Sequence, residues 1–193
     1  MGTVVMSAPA SPARTGVWVG IGTISMSFAA YTSALMVRHG TMGGWTHFEL
    51  PPILFVNTLV LLTSSATLVL GRRRLAAGPG AGTSTFTTLG GGWLGMTLAL
   101  GLLFICGQVV AWRSLADQGL YLASTAGSSF FYVFTVLHAL HLVGGLVALG
   151  YVIMRLLRAP HAPPVTAVSA TALYWHFMDV LWLYLLLVLA LWL

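Results

Sequence analysis

The chain has 193 residues, of which 58% are hydrophobic and only 6% charged, with a formal net charge of +5 and a mean hydropathy of +0.94. That balance excludes a soluble domain, because too few charged side chains remain to cover one. The charge comes from eight arginines, with no lysine, against Glu49, Asp117 and Asp179. Scattered through short loops, it makes no nucleic-acid-binding face.

Residues 1–15 are rich in Ala, Ser and Pro with Arg14 as their only charge, and read as a flexible tail ahead of a single domain at 16–193. Five apolar runs follow, at about 17–37, 52–71, 90–112, 129–154 and 171–193. Each approaches the roughly 20 helical residues needed to cross about 30 Å of hydrocarbon. The first is too long and too interrupted by Gly and Ser for a cleaved signal. None alternates with the period of two that a membrane barrel requires, and open strands would leave backbone groups unpaired in lipid. The fold class is therefore all-α: an integral membrane bundle of five transmembrane helices.

Arginine placement sets an expected orientation. Arg14, Arg72, Arg73, Arg74, Arg155 and Arg158 fall on one side of a five-crossing arrangement, and Arg38 and Arg113 on the other. Basic loops stay cytoplasmic, so the N-terminus is expected inside and the C-terminus outside. The loop from Arg72 to Leu89 reads as flexible, and Ala159 to Ser169, with Pro160, Pro163 and Pro164, as extended. Trp18, Trp93, Trp112, Trp175 and Trp192 lie near the expected helix ends, where indoles favour the headgroup region; only Trp182 lies well inside. Gly16 with Gly20, and Gly91 with Gly95, have the four-residue spacing that permits close helix approach. Cys106 sits alone in an apolar run and reads as a packing residue.

The polar residues inside these runs need partners, because an ionisable group in hydrocarbon is costly unless it faces protein or water. The second helix starts at Leu50-Pro51-Pro52, where the first N–H groups have no intrahelical acceptor to lose. It then carries Asn57 and Ser64, seven apart on one stripe, as a hydrogen-bonding seam. His138 and His141 share one face of the fourth helix, and His176 and Asp179 one face of the fifth. Two readings of the histidines stand side by side. They are interhelical hydrogen-bonding groups expected to meet inside the bundle, or one from each helix ligates a haem, as in a haem-binding membrane anchor. A zinc site would need more ligands than this set offers.

Three segments carry a family resemblance. Phe130-Phe131-Tyr132-Val133-Phe134-Thr135-Val136-Leu137-His138-Ala139-Leu140-His141 is similar to the "FF…TG.HGLH" helix of subunit III of the haem–copper oxygen reductases, with Val136 where glycine is usual. Tyr174-Trp175-His176-Phe177-Met178-Asp179-Val180-Leu181-Trp182-Leu183 resembles that family's "YWHFVDVVWL" still more closely, and Leu50-Pro51 with Asn57-Thr58 and Ser64-Ser65 resembles its "LP…NT..LL.SS" helix. Three motifs in the family's order, over the chain from its first helix onward, make the resemblance specific.

The resemblance implies the short, five-helix form of a family whose full-length members have seven helices. It also implies a subunit with no cofactor of its own, the haems and copper residing in the catalytic subunit I. Such a subunit binds phospholipid between its helices and supports proton-coupled aerobic electron transport and assembly, within a respiratory complex or supercomplex of a bacterial-type cytoplasmic membrane. Cytochrome c oxidases, quinol oxidases and, in related form, some nitric oxide reductases use such a subunit. One departure is clear: many members carry a membrane-embedded glutamate in the helix corresponding to 17–37, where this chain has no acid. No role of that carboxyl carries over.

Overall fold

A computed structural model describes residues 12–41, 50–76, 83–122, 124–158 and 164–192. They form five helices: α1 (Pro12–Thr41), α2 (Ile53–Ala76), α3 (Thr83–Asp117), α4 (Ala126–Arg158) and α5 (Val165–Trp192), with no strand among the described residues. All five are long and apolar enough to cross a membrane. Residues 1–11 of the tail, the loop at 42–49 with Trp45, His47 and Glu49, the stretch 77–82, and 159–163 lie outside the described residues.

The helices run past the apolar stretches because their ends have local hydrogen-bonding solutions. At the start of α2, Leu54 N–H donates to Pro51 O and Phe55 N–H to Pro52 O. At the start of α4, Thr125 and Ser128 exchange backbone-to-hydroxyl hydrogen bonds at 3.1 Å each, a reciprocal cap with serine in the usual Glu position. The turn out of α3 passes through Gly119, whose φ of +79° suits a residue without a Cβ. The proline-rich connection before α5 ends sooner than its composition suggests. Val168 N–H already donates to Pro164 O at 2.9 Å, so Pro164 opens the helix rather than preceding it by a loop.

Helices α2, α3, α4 and α5 form a closed ring in which each backbone packs on its two neighbours, and the large side chains Phe104, Trp175 and Trp182 reach across it between α3 and α5. Alternate crossing directions put residues far apart in sequence at one depth: Asn57 beside Phe104, Trp112 beside Thr135, and Ser64 beside Trp175. Helix α1 stands outside the ring, on α5 and marginally on α4, and meets neither α2 nor α3 among the described residues. The core cluster of Leu54, Leu61, Leu68, Phe104, Phe134, Leu142, Trp175, Trp182 and Leu185 fills the ring. Contact between lipid-facing helices gains nothing from hiding apolar surface from water, so shape and interhelical hydrogen bonds hold it.

Close approaches at Gly107 and Gly101 depend on glycine. A Cβ on Gly107 would overlap the Asn57 amide. At Gly101 it would lie 2.7 Å from Leu146 Cδ2 and 2.8 Å from Trp175 Cη2. The pairs singled out by spacing do not mark such contacts: Gly16, Gly20 and Gly95 have nothing within 4 Å of a built Cβ. Four-residue spacing alone says nothing about which face meets a neighbour.

Candidate functional site

The polar side chains gather inside the ring and along the α2/α5 seam. Trp182 Nε1 donates to Thr58 Oγ1 at 2.9 Å, and Thr58 in turn donates to Leu54 O at 2.8 Å. Two turns along α5, Trp175 Nε1 donates to Ser64 Oγ at 3.1 Å, and that hydroxyl donates to Leu61 O at 2.6 Å. Each hydroxyl thus accepts from an indole and passes its own proton to the α2 backbone, using both functions a hydroxyl offers. Asn57 Nδ2 reaches the other way, to Phe104 O on α3 at 3.2 Å. Asn57 and Ser64 therefore do lie in one polar seam, and it ties α2 to two neighbours.

Trp175 is fully buried, not seated at a headgroup boundary. The early start of α5 moves it inward, and Gly101 and Gly145 leave room for its ring. Trp112 is likewise half-buried, donating to Thr135 Oγ1 at 3.0 Å, while the Tyr132 hydroxyl holds Leu120 O at 3.0 Å. The Thr67–Thr97 hydroxyl pair at 2.9 Å and buried Gln108 were not singled out from sequence. Their signal is weak, since one Thr or Gln in an apolar run has no periodic companion.

The two histidine-bearing faces do not meet. His138 lies fully buried, its ring centroid 5.9 Å from that of Phe104 and 5.1 Å from that of Trp182, with no hydrogen bond at either nitrogen. His141 Nδ1 donates to Leu137 O of its own helix at 2.7 Å, since a carbonyl can only accept. The link from α5 to this residue is through backbone: the Tyr174 hydroxyl donates to His141 O at 2.9 Å. His176 instead turns to α2, with Nδ1 2.6 Å from Ser65 Oγ. Asp179 is buried, its Oδ2 3.7 Å from the same Nδ1, which is an electrostatic contact too long for a hydrogen bond. The expected meeting of the α4 histidines with His176 and Asp179 is therefore replaced. One hundred degrees per residue takes His176 out of the ring when Trp175 and Trp182 point into it.

This geometry limits the chemistry. A catalytic triad needs the acid on one imidazole nitrogen and the nucleophile on the other, whereas Ser65 and Asp179 both approach Nδ1. No three His, Cys, Asp or Glu side chains gather as a metal-ligand set among the described residues, and no hydrogen bond or ring contact joins any two of His138, His141 and His176. Outside the ring, an apolar cleft of about 440 Å³ lies between α1, α4 and α5, lined among others by Val17, Gly144, Tyr151, Val152, Ala167 and Tyr174.

The family described as cytochrome c oxidase subunit III matches residues 23–193, most of the chain. Among similar proteins, the cytochrome c oxidase subunit 3 of Corynebacterium diphtheriae is 28% identical over 163 residues, covering 84% of this chain and 75% of the relative. The protein of Mycobacterium leprae named "Probable cytochrome c oxidase subunit 3" is 30% identical over 197 residues, 95% of this chain and 92% of its own. The cytochrome bo(3) ubiquinol oxidase subunit 3 of Pseudomonas aeruginosa is 32% identical over 173 residues, covering 87% and 79%.

Proposed function

This chain belongs to the cytochrome c oxidase subunit III family, as subunit III of a haem–copper oxidase, and on that premise we propose that it packs beside the catalytic subunit I as a bundle without its own haem or copper. The observation that carries the reading is the use of the interior polar groups. Indoles, hydroxyls and the Asn57 amide are consumed in joining helices, and the three histidines sit in separate environments rather than around one centre. In this reading Asn57, Ser64, His138, His141, His176 and Asp179 are structural, and electron transfer takes place in the partner subunit.

The chain is a multi-pass membrane protein. We place it in a bacterial-type cytoplasmic membrane with the arginine-rich ends of α2 and α4 inside. The apolar cleft between α1, α4 and α5 supports phospholipid binding, being lined by hydrocarbon and aromatic side chains with room for an acyl chain. The contribution to proton-coupled electron transport is then indirect, through packing, lipid and assembly. Deleting the chain tests this: the remaining oxidase should keep its haem content and initial oxygen-reduction rate while losing activity during sustained turnover. Loss of one haem per complex would contradict it.

Similarity to the Pseudomonas aeruginosa protein supports a second donor class, a quinol. Reduced cytochrome c and ubiquinol supplied in turn to the purified complex discriminate the two.

A further inference from the structure

The outer face of α5 carries a polar group where lipid cannot satisfy one. His176 and Asp179 lie near the middle of α5, and Ser65 near the middle of α2, so the three sit deep in the hydrocarbon. Asp179 is buried, but the His176 side chain keeps 38% of its surface accessible. Nδ1 is taken up within the fold, 2.6 Å from Ser65 Oγ and 3.7 Å from Asp179 Oδ2. Nε2 has no partner within the described residues and is not among the buried atoms. An unpartnered ring nitrogen therefore faces out of the fold at hydrocarbon depth, an arrangement that is costly against lipid tails.

Its surroundings have the form of a helix seat. His176, Val180, Leu183 and Leu187 follow one another at intervals of four, three and four, which places them on one stripe of α5. All the last three are exposed. The stripe is flanked by α1 on one side and α2 on the other, and α1 and α2 do not touch among the described residues, so α5 forms the floor of an open groove.

We propose that this α1/α5/α2 groove is the docking surface for a transmembrane helix of another oxidase subunit, which brings a polar side chain within hydrogen-bonding reach of His176 Nε2. The proposal rests on the reading of the chain as an oxidase subunit and specifies which face is covered. A lipid tail could cover the apolar stripe but offers no hydrogen-bonding group at that depth, whereas a helix can present one from a side chain. Small polar contacts of this kind fix register between helices whose remaining contact is hydrocarbon.

Photo-reactive benzoylphenylalanine placed at Val180 or Leu187, in the assembled oxidase in its membrane, tests the surface. Val147 on α4 is the matched control, 68% exposed against 65% for Val180. The expected result is a cross-link to another oxidase subunit from the two groove positions and only lipid adducts from Val147. Subunit capture at Val147 without capture in the groove, or lipid or a second copy of this chain captured in the groove, overturns the proposal while leaving the subunit assignment intact. Failure of that assignment would appear separately, as absence of this chain from the oxidase band on a native gel. In the same complex His176→Leu should lower retention of the chain in detergent by about three- to thirtyfold, with His176→Gln, whose amide can both donate and accept, recovering most of it. Equal retention of all three forms overturns the role given to Nε2.

Discussion

The Trp182 indole donates to the Thr58 hydroxyl across 2.9 Å of the α2/α5 contact, and the same ring lies against buried His138, tilted 36° to it with centroids 5.1 Å apart. One residue thus joins α2, α4 and α5 at a single depth. Trp182→Phe keeps an aromatic ring in place but loses the donor and part of the buried ring volume. It and Thr58→Val should each lower the stability of the detergent-solubilised chain by about 0.6 to 2 kcal/mol. The double variant should cost less than the sum of the two single ones, by about the energy of the one bond they share. Full additivity in a thermal or denaturant titration would show that the hydrogen bond contributes nothing.

Gly107→Ala should be among the more damaging single-atom changes in the chain. The added methyl meets the Asn57 amide, which is itself held by Phe104 O, so the expected cost is about 1 to 3 kcal/mol through α2/α3 separation. Gly95→Ala, with nothing within 4 Å, is the control and should be neutral or slightly stabilising through helix propensity. Thermal midpoints of the two variants decide this.

His138→Phe replaces a buried imidazole with no hydrogen bond by an apolar ring that suits the space between Phe104 and Trp182. Removing an unsatisfied buried polar group is neutral or stabilising, so the midpoint should hold or rise while oxygen-reduction turnover is unchanged. His138→Ala, leaving a cavity, should cost about 2 to 4 kcal/mol. A His138→Phe variant that folds with full stability yet loses turnover would assign the imidazole to chemistry.

Orientation can be read from single cysteines in a Cys106→Ser background, since Arg73 and Asp117 are both exposed at opposite ends of the bundle. Position 117 should react with an impermeant external reagent in intact cells and position 73 should not. The reverse pattern would invert the topology.

Much of this was legible in the sequence, for identifiable reasons. Membrane helices must satisfy their own backbone, so length and hydropathy sufficed for five spans. Asn57 and Ser64 were recognisable because polar residues repeating on one stripe of an apolar helix need partners. Trp175 was misplaced because its depth depends on where α5 begins, and a proline-rich segment does not reveal that Pro164 opens the helix. The partners of His138 and His176 could not be read because they depend on the rotation of α4 and α5 within the ring. A turn of one hundred degrees separates a ring-facing side chain from one in the outer groove.

The central claim, that this chain serves as a subunit packed on a haem- and copper-bearing partner, is tested most directly by affinity purification in mild detergent followed by metal and haem analysis of each separated chain. The expected result is co-purification with a catalytic subunit that reduces oxygen, and no Soret band on this chain once separated. A chain that purifies alone with stoichiometric haem, lost on His141→Ala, would contradict it and establish a haem-binding anchor instead.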